Sequence, residues 1–188
     1  MKSIGPCRPA PAGRNSLVRA ALHGGALALL LAVVLDCRAT CNTAIPAGAP
    51  TSRFEDNGDG TVTDFRTGLM WMRCALGQSW NGATCTGSPT RYSWADALAG
   101  AQADFAGHSD WRLPNVKELL SIVERRCFNP SINETVFPAT VPGVYWSSTP
   151  SVAGIGTEAY SVSFIQGSDG GEDKAALTRL VRPVRVFR

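Results

Sequence analysis

Four of the six cysteines, at positions 41, 74, 85 and 127, constrain the fold of this 188-residue chain more than any other feature; Cys7 and Cys37 belong to the N-terminal leader described below. In an exported domain, an even number of cysteines indicates disulfide bridges, and four cysteines allow three connectivities. Cys74 and Cys85 flank a Gly- and Asn-rich segment that can fold back on itself. We therefore expect them to pair, which leaves Cys41 for Cys127. A zinc site is the alternative, but the chain has no CxxC motif and one histidine, His108, after residue 39.

Export itself is predicted by the N-terminal segment. Four basic residues and no acidic residue precede an apolar run over residues 20–35, which ends at Asp36. A basic stretch, a short apolar stretch and then small residues are typical of a secretory signal. The run is shorter than the roughly 20 apolar residues that a membrane span needs. We expect residues 1–39 to be a cleaved signal peptide, with an uncleaved membrane anchor as the alternative.

The positive charge of the chain belongs to this leader. The whole sequence carries a net charge of +3, but residues 40–188 hold 13 basic and 14 acidic side chains. Overall charge therefore gives no reason to expect a nucleic-acid partner, and binding of any polyanion must depend on a local cluster.

The rest of the chain predicts a short lead-in over residues 40–52 and one α+β domain over residues 53–188. Asn-Gly and Asp-Gly pairs at residues 57–60 indicate a tight turn between two strands. Ser93 and Asn115 can each cap a helix, and Glu118 completes a capping box with Asn115. Strands are expected at residues 53–56, 61–64, 68–72, 144–148, 159–165 and 180–187, with a Gly- and Asp-rich hairpin at residues 167–173.

Several sequence blocks occur in an order that is typical of one family. They are DNGDGTVTD at residues 56–64, TGLMW at 67–71, WNG at 80–82 with Cys85, WADAL at 94–98, DWRLPNVKEL at 110–119, FNPSIN at 128–133, YWSS at 145–148 and LVR at 180–182. In this series the chain resembles the Lcl C-terminal domain family, named for the C-terminal domain of a bacterial collagen-like adhesin.

The resemblance implies a C-type-lectin-like fold, with two helices packed on short antiparallel strands and disulfide staples. It also implies a secreted or cell-envelope, adhesin-like domain that binds carbohydrate, specifically sulfated glycosaminoglycans. This chain has no collagen-type Gly-X-Y tract. Two other functions stay open, namely an envelope structural domain with a protein partner and an enzyme on a lectin-like scaffold.

The densest basic run after the leader is the best candidate for binding a sulfated glycan, because guanidinium groups grip sulfate bidentately. We expect Arg125 and Arg126 to join it at a helix end, and Trp80 to be the tryptophan that is exposed to a ligand. The run consists of Arg179, Arg182, Arg185 and Arg188. A solvated, charged edge strand is the alternative.

The sequence offers little for catalysis or for a cofactor. His108 is the one candidate imidazole base, and it lies in a Gly-His-Ser-Asp segment of turn composition. No GxSxG, HExxH or phosphate-loop motif occurs. An irregular calcium site formed by Asp56, Asp59 and Asp64 stays open. We expect a non-enzymatic protein without a resident metal or cofactor, whose partner is a glycan or a surface protein.

Overall fold

A computed structural model describes residues 39–153, 155–175 and 179–187 of the chain. The predicted signal peptide and Arg188 lie outside these residues, apart from Ala39. Within them the elements are, in chain order, β1 Thr40–Cys41, β2 Phe54–Asp56, β3 Thr61–Asp64, β4 Leu69–Met72, β5 Ser79–Trp80, β6 Cys85–Thr86, α1 Trp94–Gly100, α2 Val116–Ser121, β7 Cys127–Phe128, β8 Val144–Pro150, β9 Glu158–Ser163, β10 Ser168–Asp173 and β11 Val184–Val186.

A four-stranded antiparallel sheet in the order β11-β4-β3-β2 forms one side of the domain core. Its first hairpin turns where the Asn-Gly-Asp-Gly sequence predicts, and Gly58 and Gly60 have φ angles of 80° and 91°. Asp59 Oδ1 accepts hydrogen bonds from the backbone N–H and the hydroxyl of Thr61, which closes the turn. The local sequence therefore determines this hairpin.

The second large sheet is antiparallel, with the order β10-β9-β8. The predicted hairpin at residues 167–173 is wrong in position: the chain turns over residues 164–167, and the Gly- and Asp-rich segment that follows is strand β10. A Cβ atom at Gly171 would stand nearest the carboxylate end of the Glu158 side chain on β9. Pairing with all six residues of β9 extends the segment as a strand.

Both helices begin at the residues that the sequence predicts. Ser93 Oγ accepts a hydrogen bond from the N–H of Asp96 at the start of α1. Asn115 and Glu118 form the reciprocal capping box of α2, with side-chain to backbone distances of 2.9 and 2.8 Å. Helix α2 ends at Ser121, so Arg125 and Arg126 lie beyond it and not in its last turn, as the sequence had suggested.

The core lies between the two sheets and the short helices. Its largest cluster contains Trp71 of β4, Leu119 of α2, and an edge-to-face pair formed by Tyr145 and Phe164. A second cluster packs α1 against Trp146 of β8. In the described chain, no helix has the length and apolar character that crossing a membrane requires.

Both predicted disulfides are present. Cys41–Cys127 joins β1 to β7 in a two-stranded sheet, and Cys74–Cys85 closes the loop that contains β5. The α+β class is likewise confirmed, with strands predominating. The predicted terminal strand at 180–187 is shorter than expected and comprises β11 alone. Pro183 cannot donate to a ladder, although its carbonyl accepts a hydrogen bond from Met72.

Candidate functional site

The described part of the C-terminal arginine run, Arg179, Arg182 and Arg185, does not form the ligand-binding surface that the sequence suggested. Arg182 is fully buried, and its guanidinium donates hydrogen bonds to the carbonyl oxygens of Met72 and Arg73 and to the Thr140 hydroxyl. It also lies 5.0 Å from the centroid of the Phe137 ring. The prediction that Arg182 contacts ligand is therefore wrong, because the side chain has no exposed surface.

Burial also sets the electrostatics of this position. It lowers the pKa of Arg182, an effect that the Tyr145 hydroxyl partly offsets, and it raises the pKa of Tyr145 itself. The Arg182 guanidinium nevertheless remains protonated, because arginine does not lose its proton in proteins. It acts as a buried donor that joins the end of β4 to the loop containing Thr140.

Two further arginines of the run are held by carboxylates. Arg185 Nε donates to Asp110 Oδ1 at 2.6 Å, and this hydrogen bond lowers the pKa of Asp110. Arg179 is paired with Glu172. The Arg185 side chain is also almost wholly buried, so the structure does not bring Arg179, Arg182 and Arg185 together at an open surface.

Trp80 and Arg126 are both partly buried and already in contact with other groups. The Arg73 guanidinium lies 4.3 Å from the centroid of the Trp80 ring, and Gly60 packs closely against that ring. Arg126 Nε lies 3.8 Å from Glu124 Oε1. Neither Trp80 nor Arg126 lines the cleft described next.

An open cleft of about 360 Å³ is lined by Arg125, the one residue of the predicted set that is exposed within the described chain. Arg66 is also exposed and lines the same cleft. In the described part of the structure, neither guanidinium forms an ion pair or a hydrogen bond. We call this feature the arginine cleft, and it is lined by Gly48, Arg53, Arg66, Thr67, Leu120, Ser121, Val123 and Arg125.

The turn between β3 and β4 positions Arg66. The buried Asp64 carboxylate accepts hydrogen bonds from the Arg66 backbone N–H at 3.1 Å and from the Thr67 hydroxyl at 2.6 Å. The Asp64 carbonyl accepts two more, from the N–H groups of Thr67 and Gly68. The Arg66 side chain thus projects from a backbone that four hydrogen bonds hold in place.

Arg53 lines the cleft, and its positive charge is paired with the Asp64 carboxylate. Its guanidinium makes a two-point ion pair with Asp64 and donates to the Ser121 carbonyl at 2.8 Å. Burial would raise the pKa of Asp64, but the hydrogen bonds from Arg53 and Thr67 outweigh it and hold that pKa below its usual range. The Asp64 charge therefore neutralises Arg53, and the open cations of the cleft are Arg66 and Arg125.

The opposite wall is fixed by a buried carboxylate that faces backbone. Glu124 accepts hydrogen bonds from the N–H groups of Gly48, Ala49 and Arg126 at 3.0 to 3.3 Å. These bonds tie the lead-in to the segment that follows α2 and place Gly48 at the cleft. The lead-in is thus part of the site, which sequence reasoning did not indicate.

Two uncompensated guanidiniums at one cleft can bind an anion. Each presents planar paired donors that match the oxygens of sulfate, phosphate or carboxylate. The Ser121 hydroxyl adds a donor, and Leu120 and Val123 add apolar surface. The sequence indicated Arg125 but not Arg66, because Arg66 is isolated in the sequence and only the fold places it at the same cleft as Arg125.

Of the other candidate residues, Asp64 lies under the cleft as the partner of Arg53, and His108, Asp56 and Asp59 are not among the residues that line it. His108 occupies a loop, where its backbone exchanges two hydrogen bonds with Phe105. Asp56, Asp59 and Asp64 bind Arg73, Thr61 and Arg53, respectively. Among the described residues, no group of three or more histidine, cysteine or acidic side chains has a geometry that could hold a metal ion.

The fold and the cleft define a disulfide-linked α+β domain with an open cationic site. The chain belongs to the Lcl C-terminal domain family, whose sequence profile matches residues 60–185. No curated protein shows significant similarity to the chain.

Proposed function

We propose that this domain is an exported binding module that recognises anionic glycans, sulfated polysaccharides in particular, through the arginine cleft. A C-type-lectin-like fold and the absence of enzymatic activity are part of the same proposal. Family membership and the two disulfides support a secreted or envelope location. The leader supports it further, and N-terminal sequencing of the exported protein should find a start near Thr40.

The observation that carries the proposal is the distribution of paired and unpaired cations. Six arginines of the described chain form ion pairs with carboxylates: Arg53–Asp64, Arg73–Asp56, Arg112–Glu118, Arg126–Glu124, Arg179–Glu172 and Arg185–Asp110. Arg66 and Arg125 are exposed, lack such partners among the described residues, and line one cleft. Because residues 40–188 are nearly neutral overall, we expect the electrostatic attraction of an anion to be strongest at this local pair of cations.

The test compares glycan binding by two double variants that remove the same charge. Arg66→Ala with Arg125→Ala removes both cleft cations, and Arg91→Ala with Lys174→Ala removes two cations outside the cleft, of which Arg91 is exposed and Lys174 is half-buried over Trp94. We expect the cleft variant to lose about 10- to 100-fold in affinity for a heparin-type hexasaccharide, since a lost charged hydrogen bond costs about 1–3 kcal/mol. The matched control has the same change in net charge, so we expect it to show only the small loss of affinity that this change causes.

Two further measurements sharpen this test. Arg66→Lys with Arg125→Lys should restore only part of the affinity, because an ammonium cannot bind a sulfate at two points. Affinity should fall as salt rises, since exposed charges are screened within about 10 Å at 0.1 M ionic strength. Equal affinities for the cleft variant and its control, with both folded, would contradict the proposal and favour a protein partner.

A further inference from the structure

Two partly exposed phenylalanine rings meet next to Arg66: Phe65 lies on the turn that carries Arg66, and Phe187 follows β11. Phe65 is 62% exposed and Phe187 is 44% exposed, and their rings meet edge to face with centroids 6.5 Å apart. An edge-to-face pair covers at most one ring face, and the exposures show that much of both rings is accessible. Val186, also exposed, precedes Phe187 at the end of β11.

Backbone hydrogen bonds hold the main chain at both phenylalanines. The N–H of Phe65 donates to the Arg53 carbonyl at 3.3 Å, and the N–H of Phe187 donates to the Gly68 carbonyl at 2.9 Å. Phe65 directly precedes Arg66 in the turn that Asp64 holds by four hydrogen bonds. The main chain that carries the pair is therefore held in place, and a ligand that contacts the rings need not order the loop.

Core packing does not explain this arrangement. Burial of a phenylalanine side chain stabilises a fold, and Phe65, which is 62% exposed, lacks most of that stabilisation. Exposed apolar groups that form a contiguous patch commonly mark an interaction surface. Here Phe65 directly precedes Arg66, which lines the cationic cleft, so a partner of both features should combine an apolar face with anionic groups.

We propose that Phe65 and Phe187 form an aromatic shoulder that stacks against a sugar ring of the same glycan whose anionic substituent occupies the arginine cleft. A pyranose carries its C–H groups on its faces and its polar substituents at its rim, so it can contact an aromatic ring while its sulfate binds Arg66. The shoulder makes the ligand a polysaccharide and not a simple oxyanion. This inference rests on the function proposed above.

The experiment measures affinity for a heparin-type hexasaccharide at 0.1 M and 0.5 M salt by titration calorimetry. Phe65→Ala should weaken binding by up to about tenfold at both salt concentrations, because aromatic stacking is not screened by ions. Arg66→Ala should weaken it mainly at low salt and flatten its salt dependence. The matched control is Phe128→Ala, which removes a ring that is 45% exposed on β7.

A spectroscopic readout keeps the inference testable if an alanine variant loses stability. In saturation-transfer difference NMR, irradiation of the protein's aromatic protons should reach the sugar ring protons. This transfer should weaken in Phe65→Leu and return in Phe65→Trp. Phe65→Leu retains an apolar side chain, so its folding should be intact, and thermal melts check this.

Each outcome separates the shoulder from the cleft. If Phe65→Ala and Phe128→Ala bind like the unchanged domain while Arg66→Ala does not, the shoulder is refuted and the proposed function stands. If Arg66→Ala also binds normally, both proposals fail. A third outcome is that Phe65→Ala binds the hexasaccharide normally but no longer binds anionic phosphatidylglycerol vesicles that the unchanged domain binds. That result would overturn the shoulder in favour of a membrane surface.

Discussion

Replacing Arg182 by alanine should unfold part of the population without touching the ligand site. The guanidinium is fully buried, donates to two backbone carbonyls and one hydroxyl, and packs on the Phe137 ring. The variant loses these donors and leaves a cavity in the core. The perturbation thus tests whether this arginine stabilises the fold or binds ligand.

The magnitude follows from two opposing contributions. Truncating a large buried side chain costs about 3–5 kcal/mol, and a buried acceptor left without its donor costs about 1–3 kcal/mol. Removing a buried charge recovers part of its desolvation cost. We expect Arg182→Ala to lower the free energy of unfolding by about 3–5 kcal/mol, a large share of the roughly 5–15 kcal/mol that stabilises such a domain.

Urea unfolding of the disulfide-intact domain, followed by tryptophan fluorescence, measures this loss as a shift of the midpoint at unchanged slope. Arg182→Met should lose less, because its side chain refills part of the cavity, and Arg182→Lys cannot reach all three acceptors from one ammonium. Under conditions in which it is folded, Arg182→Met should bind the hexasaccharide as the unchanged domain does. A variant with wild-type stability but no glycan binding would refute the reasoning and restore Arg182 to the ligand site.

Two other perturbations test the disulfides and the buried carboxylate. The Cys41–Cys127 bridge spans 86 residues and the Cys74–Cys85 bridge spans 11. Because loop-closure entropy grows with loop length, removing the longer bridge should destabilise the domain by about 2 kcal/mol more than removing the shorter one. Thermal melts of the two double-alanine variants would show this order. Because the pKa of Asp64 is lowered from 3.8, its contribution is present above that pH and lost as pH falls through the folded-state value, so Asp64→Asn should flatten the acid side of a stability-pH curve. The same substitution should lower the free energy of unfolding by about 3–5 kcal/mol at neutral pH, because it leaves Arg53 buried without its partner. A variant as stable as the parent would contradict this.

Features with a local cause were predictable from the sequence. The hairpin turn at residues 57–60 follows from glycines that accept positive φ, and the helix starts at Ser93 and Asn115 follow from side chains that cap orphan N–H groups. The pairing of Cys74 with Cys85 follows from a short, flexible intervening segment. In each case the residues that determine the structure lie within about a dozen positions of one another.

The end of the chain was predicted less well because distant residues determine it. A Gly- and Asp-rich composition favours a turn at residues 167–173, but pairing with all six residues of β9 extends the segment as β10. The alternating pattern at residues 180–187 favours one long strand. Pro183 and the inward-facing Arg182 interrupt it, so that regular pairing with β4 begins only at Val184.

The arginines show why a binding site could not be read from the density of positive charge. Whether a guanidinium is available depends on its partner, and partners can be remote in sequence: Asp110 is 75 residues from Arg185, and the Met72 carbonyl is 110 residues from Arg182. A domain with short strands and long loops has many carbonyls that no ladder satisfies, and arginine is suited to bind them because it offers five donors. The dense C-terminal run is therefore used mainly for structure, and the cations left for a ligand are isolated ones such as Arg66 and Arg125. In a domain of this kind, candidate sites are found by removing the paired arginines first and then asking which of the remaining ones share a cleft.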